Sequence, residues 1–251
     1  KEDLEAMNIL FPDNFIFASD ETAEYSRLIK DLLEKGVAYK TTSTIYFDTT
    51  KIANYGAFGG SASAEHRRIE VDPEKKHPED FALWKFSEDE KVGFNSPLGR
   101  GFPGWHIECT AMSFKYLGKK FDIHTGGVDH IGVHHTNEIA QSEAATGKRF
   151  ANYWMHSNHV MVEGEKISKS LGNGIRLQNI ISKGYTAETV RLYALESNYR
   201  THSQFSWDGL DAAKNRMNGY RAMAALRYQI KNVTSQTSEV FLESKSSIPG
   251  N

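Results

Sequence analysis

The stretch FDIHTGGVDHIGVHHTNEIAQSEAATGKRFANYWMHSNHVMVEG, residues 121–164, decides the fold class of this protein. Residues 121–127 predict a short strand that runs into glycines, residues 134–146 a helix, and residues 152–164 a strand that ends in a turn. Strands that alternate with helices in this way are typical of an α/β sheet. We therefore expect an α/β domain around this stretch.

The flanking sequence extends the pattern in both directions. Apolar spacing and β-branched or aromatic runs predict helices over 20–36, 105–117, 186–198 and 208–230, a hairpin over 37–50 and a strand over 80–86. Composition predicts a surface insertion over 51–78, a polar loop over 165–173 and a linker from residue 232. Because no strand is expected between the helices after residue 185, we predict a separate helical element there.

Composition excludes several classes of protein. Hydrophobic residues make up 39% and charged residues 25%, as in ordinary soluble domains, and the formal charge of −2 excludes a global nucleic-acid signature. There is no apolar run long enough to cross a bilayer, and the N-terminus lacks the layout of a signal peptide. The single cysteine, Cys109, excludes an intrachain disulfide and fits a reducing compartment. We expect a cytoplasmic protein without a membrane partner.

Three residues form a candidate metal site. His134 and Glu138 are four apart on a predicted helix and share a face, and Cys109 is the only thiol. Thiolate, imidazole and carboxylate are all zinc ligands. From spacing alone, a buried cysteine beside a helix-surface His/Glu pair is the commoner explanation.

Two loops and a group of histidines are candidates for nucleotide and substrate binding. The KISKS loop carries Lys166 and Lys169, which are mobile charges suited to phosphate. The HTGGVD loop carries Gly127, which lets a nucleotide approach the backbone, and Asp129, which can bind a ribose hydroxyl or an amino group. Taken singly, each loop is also compatible with an ordinary polar turn. Seven of the ten histidines lie within residues 106–159, and we expect about half of them to be structural: His106, His124, His130, His134, His135, His156 and His159.

Taken in order, these motifs resemble one family. PGWHIECTAM (103–112), DIHTGGVDHIGVHHTNEIAQSEA (122–144) and NYWMHSNHVMV with EKISKSLGN (152–173) resemble segments of the cysteinyl-tRNA synthetases, which are class I aminoacyl-tRNA synthetases. The resemblance is dense over residues 80–200 and looser outside them. Three long motifs in the right order and spacing are far more specific than any one of them.

The resemblance implies a Rossmann-like catalytic domain with a connective insertion, followed by a helical stem-contact region. In this sequence the catalytic portion would span 1–185 with the insertion at about 37–80, the stem-contact region 186–231, and a polar tail 232–251. Cys109, His134 and Glu138 would hold one zinc ion per chain. Lys166 and Lys169 would be catalytic, acting on the ATP phosphates.

Further roles follow from the same resemblance. Trp105 would form the floor of the cysteine pocket, with His124 and Asp129 lining the substrate site and Gly127 and Asp129 near the nucleotide. The implied reaction is ATP-dependent ligation of L-cysteine to tRNA(Cys) through a cysteinyl adenylate, with Mg²⁺ accompanying ATP and zinc selecting the cysteine thiolate. We expect a monomer. Basic residues on the helix 208–230 would contact tRNA phosphates: Lys214, Arg216, Arg221 and Arg227.

The sequence also departs from the family pattern. Ile167 stands where Met is usual, and GVDHIGVHHTNE differs from the commoner form, which has Phe-Pro before the histidine pair and Glu in place of Thr136. The family's other zinc cysteine and its HIGH-type ATP motif lie N-terminal to the residues present. We therefore interpret the chain as a fragment and expect it to be inactive by itself in cysteine-dependent pyrophosphate exchange.

Competing interpretations stay open at this point. A cysteine ligase of mycothiol synthesis uses the same adenylate chemistry on an amino sugar, although NEIAQSEA resembles the synthetases more closely. A non-catalytic zinc- or RNA-binding module derived from a synthetase is the rival of a different class. A zinc hydrolase is disfavoured because the chain lacks HExxH spacing.

Overall fold

The structure is a computed structural model that describes residues 1–59, 72–89, 91–162 and 174–228, and the backbone of residues 165–166. The chain divides into two compact units. The larger comprises Pro12–His159 and Tyr199–His202; the smaller comprises Lys1–Phe11, Val160–Asn198 and the residues from Ser203 onward.

Helices and strands alternate over much of the described chain. The α-helices there are α1 Glu2–Ala6, α2 Thr22–Glu34, α3 Trp105–Tyr116, α4 Thr136–Thr146, α5 Leu177–Ile181, α6 Ala187–Leu195 and α7 Trp207–Leu226. The strands there are β1 Ala38–Lys40, β2 Thr44–Phe47, β3 Phe81–Phe86, β4 Gly101–Pro103, β5 Phe121–Gly127, β6 Ala151–Ser157, β7 Val160–Val162, β8 Glu165–Lys166 and β9 Ser203–Phe205.

The core of the larger unit lies between helices α2, α3 and α4 and an antiparallel sheet of order β1–β2–β3–β4. Helix α2 forms where predicted because its apolar residues recur at helical spacing, and Leu28, Ile29 and Leu32 are buried. Burial of each such side chain contributes about 1.5–3 kcal/mol. Gly36, with φ of +69°, lies just beyond the end of the helix, in a conformation that favours glycine.

Strands β5 and β6 pair in parallel, with helix α4 between them in sequence. The register places His124 beside Trp154 and Gly126 beside His156. In such a βαβ unit the carboxyl ends of both strands lie at one edge, where ligands of α/β proteins bind. The fold therefore brings the glycine- and histidine-rich residues of the central motif to one edge.

The smaller unit corrects one prediction. Strand β9 lies between α6 and α7 and pairs in parallel with β7, so the helices after residue 185 are not free of strands. Ser203–Phe205 is only three residues long, which is too short for an alternating pattern to be recognised. Its conformation depends on pairing with a distant strand.

Four smaller differences have similar causes. The strand predicted over 152–164 is two strands, interrupted where the Asn158 backbone N–H donates to the Tyr199 carbonyl. Glu165–Lys166, predicted as loop, pairs with β7. The helix predicted from residue 134 begins as α4 at Thr136, after a π-helical turn over Ile131–His135. The short helices α1 and α5 were not predicted, because five residues carry too little periodicity.

Among the described residues, no helix is both long and apolar enough to span a membrane. The assignment of 1–185 to a catalytic portion and of 186–231 to a stem-contact region stays a prediction. The tail 232–251 lies outside the described residues.

A buried carboxylate joins α2 to α3. Glu21 lies just before α2 and accepts hydrogen bonds from Lys115 Nζ at 2.9 and 2.7 Å and from the Tyr116 hydroxyl at 2.6 Å. The hydrogen bonds of Lys115 and Tyr116 lower the pKa of Glu21 from its ordinary value of 4.5. The ionised carboxylate therefore stabilises the fold.

We predict that Glu21→Gln lowers the free energy of unfolding at pH 7 by about 1 kcal/mol or more, because the charge-assisted hydrogen bonds weaken. The folded-state pKa is depressed, so this stabilisation is complete above the unfolded-state pKa and is lost as pH falls through the folded-state value. Urea denaturation from pH 7 to pH 3 should show the two proteins converging at low pH. Glu24→Gln in the exposed pair with Arg27 is the control and should change stability by less than about 0.5 kcal/mol.

Candidate metal centre

The three predicted metal ligands converge. Cys109 lies on α3, His134 in the π-helical turn and Glu138 in the first turn of α4. One donor atom from each lies within 4.8 Å of the other two. Cys109 is half-buried and the other two side chains are buried. Sequence spacing paired His134 with Glu138, but only the packing of α3 against α4 brings the thiol to them.

Two adjacent histidines lie near the same carboxylate. His134 Nε2 lies 3.8 Å and His135 Nε2 3.9 Å from Glu138 Oε2. Residues three and four apart on a helix are neighbours on its surface, so both histidines come close to Glu138. The two histidines lie in a π-helical turn, and such turns are frequent at functional sites. Glu138 therefore lies near the imidazole of His135 as well as that of His134, which was the one predicted.

Each of these two histidines lies within hydrogen-bond distance of a further histidine. His134 Nδ1 lies 2.9 Å from His106 Nδ1, and His135 Nδ1 lies 2.7 Å from His156 Nε2. When Nδ1 carries the proton and donates, the Nε2 lone pair is left for a cation. Burial and neighbouring histidines lower the pKa of His134 to about 3, so the ring is neutral at physiological pH, as a metal ligand must be.

Glu138 is the electrostatic centre of the site. Its side chain has no solvent exposure, and its Oε2 lies 2.9 Å from His124 Nε2. Its Oε1 is buried and has no hydrogen-bond partner within the part of the chain that the structure describes. Burial raises the pKa of Glu138 from its ordinary value, against the opposing effect of His124. A divalent cation would satisfy the orphaned oxygen.

The Cys109 thiol is protonated in the absence of a cation. Burial, followed by the nearby carboxylates of Glu138 and Glu108, raises the pKa of Cys109 to about 12. A bound cation would lower the pKa of the thiol instead, because the thiolate is the ligand and binding releases the proton. Thiolate, neutral imidazole and carboxylate together fit a tetrahedral zinc site with an open position.

A second group shares the same carboxylate. Donor atoms of His124, His135 and Glu138 also lie within 4.8 Å of one another. His124 already hydrogen-bonds Glu138, and such bonds commonly orient a carboxylate that ligates a metal. His124 was predicted to line the substrate site, and the structure places it against the carboxylate that the metal would use.

Trp105 lies beside the proposed ligands. Its ring centroid is 4.1 Å from that of His134, and more than half of its surface (54%) is exposed. Trp105 and His106 line a cavity of about 780 Å³. The ring is thus positioned to contact a small molecule held at the metal, although its predicted role as pocket floor stays a prediction.

The predicted nucleotide residues lie at and just after the end of β5, with Gly127 as its last residue and Asp129 two residues further on. A Cβ at Gly127 would lie 2.3 Å from Asp129 Oδ1, so glycine allows Asp129 to fold back over the turn. Asp129 Oδ1 lies 4.0 Å from His159 Nε2, and half of the Asp129 side chain is exposed. Its role toward ribose or amino groups stays a prediction. Lys169 and the side chain of Lys166 lie outside the described residues, so the predicted ATP loop is untested.

The basic residues of α7 already have partners. Arg216 forms a bidentate contact with Glu196, and Arg221 lies 4.0 Å from Glu188. Lys214 and Arg227 lie over the rings of Tyr185 and Tyr228, at 5.0 and 4.5 Å. Binding of tRNA here would require the arginines to exchange carboxylate for phosphate. The predicted stem contact stays a prediction.

Sequence reasoning overlooked Trp154 and gave His156 no specific role. Both lie on the face of β6 that carries the site, and the pairing of His124 with Trp154 follows from a parallel register. Because side chains alternate along a strand, Trp154 and His156 had to share a face, and this signal was available. The hydrogen bond that the Tyr55 hydroxyl donates to Asn137 Oδ1, beside Glu138, carried no comparable signal.

Comparison with solved structures defines the class of the fold. Mycobacterium tuberculosis methionyl-tRNA synthetase in complex with methionyl-adenylate superposes with a TM-score of 0.63 at 18% identity, over 85% of this chain and 53% of that one. With the βαβ unit and its histidine-lined edge, this defines the fold of a class I aminoacyl-tRNA synthetase catalytic domain. The chain belongs to the family of class I (C) tRNA synthetase catalytic domains, whose model matches residues 1–215.

Curated relatives agree with this family. Cysteine–tRNA ligases of Thermus thermophilus and Treponema denticola are 46% and 44% identical over 215 and 220 residues, which is 84% and 85% of this chain. The ligase of Pelotomaculum thermopropionicum is 42% identical over 91% of the chain. The chain spans about half the length of these relatives, 44–48%. The resemblance seen in the motifs and the predicted Rossmann-like class I fold are both confirmed.

We predict that Gly126→Ala disturbs the site, because its Cβ would lie 2.6 Å from His135 Cε1 and 2.9 Å from His130 Nδ1. Overpacking of this kind costs about 1–3 kcal/mol and would displace the His135 ring. Urea denaturation and imidazole nitrogen NMR would measure the two effects. Gly219→Ala, within α7 and with no atom within 4 Å of the added Cβ, should stabilise the protein slightly; equal behaviour of the two variants would contradict the prediction.

Proposed function

We propose that this chain is the metal-binding part of a cysteine–tRNA ligase, which joins L-cysteine to tRNA(Cys) through a cysteinyl adenylate at the expense of ATP. The observation that supports this most directly is the convergence of Cys109, His134 and Glu138 donor atoms within 4.8 Å. The related cysteine–tRNA ligases support the same reaction.

Selection of cysteine over serine is the chemical problem that such a site solves. The two amino acids differ only by sulfur for oxygen, and a hydrophobic pocket separates such close analogues by only about 1–3 kcal/mol. A bound zinc ion would supply a Lewis acid that binds thiolate much more strongly than hydroxyl. A second, editing site would then be unnecessary.

The residues of this chain divide the work. Cys109, His134 and Glu138 hold the cation, and the His124 hydrogen bond fixes the Glu138 carboxylate. His106 fixes the tautomer of His134. Trp105 lies over His134 and shields the incoming side chain from water on one side.

The remaining parts of the reaction are assigned by motif. Gly127 and Asp129 bind the nucleotide and the amino group, and Lys166 and Lys169 neutralise the ATP phosphates, with Mg²⁺ accompanying ATP. The basic side chains of α7 contact tRNA phosphates. The protein acts in the cytoplasm as a monomer.

The purified chain should bind one equivalent of Zn²⁺ or Co²⁺, and the Co²⁺ form should show a thiolate charge-transfer band. Because the free Cys109 thiol has a pKa of about 12, binding releases its proton, and affinity should rise about tenfold per pH unit between pH 6 and pH 8. Cys109→Ser should abolish the band. Free cysteine should perturb the Co²⁺ spectrum and free serine should not; an unaltered spectrum with both would count against the site.

The acceptor distinguishes the ligase from a mycothiol-type enzyme. We expect the product of the complete open reading frame to charge tRNA(Cys) with cysteine and to leave glucosaminyl-inositol unmodified. His134→Ala should reduce aminoacylation at least about 100-fold through loss of a metal ligand. Transfer of cysteine to the amino sugar, or charging unaffected by His134→Ala, would contradict the assignment.

A further inference from the structure

We infer that Tyr55 and Phe58 are positioning residues for the proposed thiol-binding metal site. Both lie in residues 52–59, here named the cover segment, within the first part of the predicted insertion. The inference rests on the proposed function, because it concerns the same metal site. It adds a role for the cover segment that none of the motifs of the chain indicated.

Tyr55 reaches the helix that carries Glu138. Its hydroxyl donates to Asn137 Oδ1 at 2.6 Å, and only 2% of Asn137 is exposed. Asn137 immediately precedes Glu138 in the first turn of α4. A buried, short hydrogen bond at this point restrains the turn from which the Glu138 carboxylate projects.

Phe58 packs against two side chains of β6, Trp154 and His156, which lie next to the histidines of the site. Its ring centroid lies 4.8 Å from Trp154 and 6.0 Å from His156. Trp154 in turn packs edge-on against His124 at 4.7 Å, and His156 hydrogen-bonds His135 at 2.7 Å. His124 and His135 are two of the three imidazoles that lie within 4.0 Å of Glu138 Oε2; the third is His134. Phe58 is therefore one side-chain layer away from the groups that orient the carboxylate.

A cavity lies next to the contact between Phe58 and Trp154. About 350 Å³ of space lies between the cover segment and α4 and β6, lined by Tyr55, Phe58, Ala140, Phe150 and Trp154 among others. Phe58 is 37% exposed and its ring packs against Trp154, so part of the ring faces solvent and part faces Trp154. Truncation of the ring would admit water beside His156, where water competes for the hydrogen bonds that order the histidines.

The contacts of both residues lead to the site through other side chains. Tyr55 acts through Asn137, and Phe58 acts through Trp154 and His156. Loss of either contact should leave the three ligands present but less well oriented. Loss of partner interactions behind metal ligands typically lowers affinity by about 10- to 100-fold.

The test compares variants of the purified chain by Co²⁺ titration, the thiolate–Co²⁺ band and the urea midpoint. Phe58→Ala should weaken Co²⁺ binding about tenfold and alter the band, and Phe58→Leu, which keeps an apolar cover, should restore most of both. Tyr55→Phe should weaken binding severalfold. Tyr153→Phe and Tyr153→Ala are matched controls, because Tyr153 lies on β6 and is 69% exposed; both should match the unaltered chain.

The outcomes separate the two proposals. Absence of Co²⁺ binding by the unaltered chain would overturn the metal site itself. Binding by the unaltered chain with the same affinity and band in Phe58→Ala and Tyr55→Phe would overturn only the positioning role. The role would also be overturned if Phe58→Leu failed to restore the band, or if Tyr153→Ala weakened binding as much as Phe58→Ala.

Discussion

The compensation of one buried charge organises the larger unit of this protein. Glu138 is fully enclosed, and an isolated carboxylate in such a place is costly unless it is paired or ligates a metal. The surrounding residues provide three imidazoles and a thiol, but the Oε1 atom is still unsatisfied within the described residues. The remaining imbalance is what a divalent cation would remove.

Each structural element near Glu138 contributes to this arrangement. The βαβ unit places His124 and His156 at one sheet edge, and helical spacing of four and three residues places His134 and His135 near the same Glu138 oxygen. Helix α3 brings Cys109 and Trp105 against them. Outside this group, the cover segment contacts Asn137 through Tyr55, and Trp154 and His156 through Phe58. Polar residues that would destabilise an ordinary core are thus held in a fixed network.

Pairs of hydrogen-bonded histidines occur twice in this site. Both His134 and His135 use one ring nitrogen to contact another histidine and present the other nitrogen to Glu138. Burial lowers the pKa of His134 and of His106, to about 3 and about 4, which keeps these rings neutral and able to act as both donor and acceptor. A neutral network can orient a metal ligand without adding positive charge that would repel a cation.

Much of this could be predicted from sequence, because it depends on local pattern. Apolar spacing predicted α2 and α3, the strand run predicted β5, and three ordered motifs indicated the family and the ligands Cys109, His134 and Glu138. Strand β9, the pairing of His135 with His156 and the approach of Tyr55 to Asn137 were not predictable in this way. Local propensity and period are encoded within a few neighbouring residues, whereas these contacts join residues far apart in sequence. Only tertiary packing, which closes the chain around a buried carboxylate, determines which distant side chains meet.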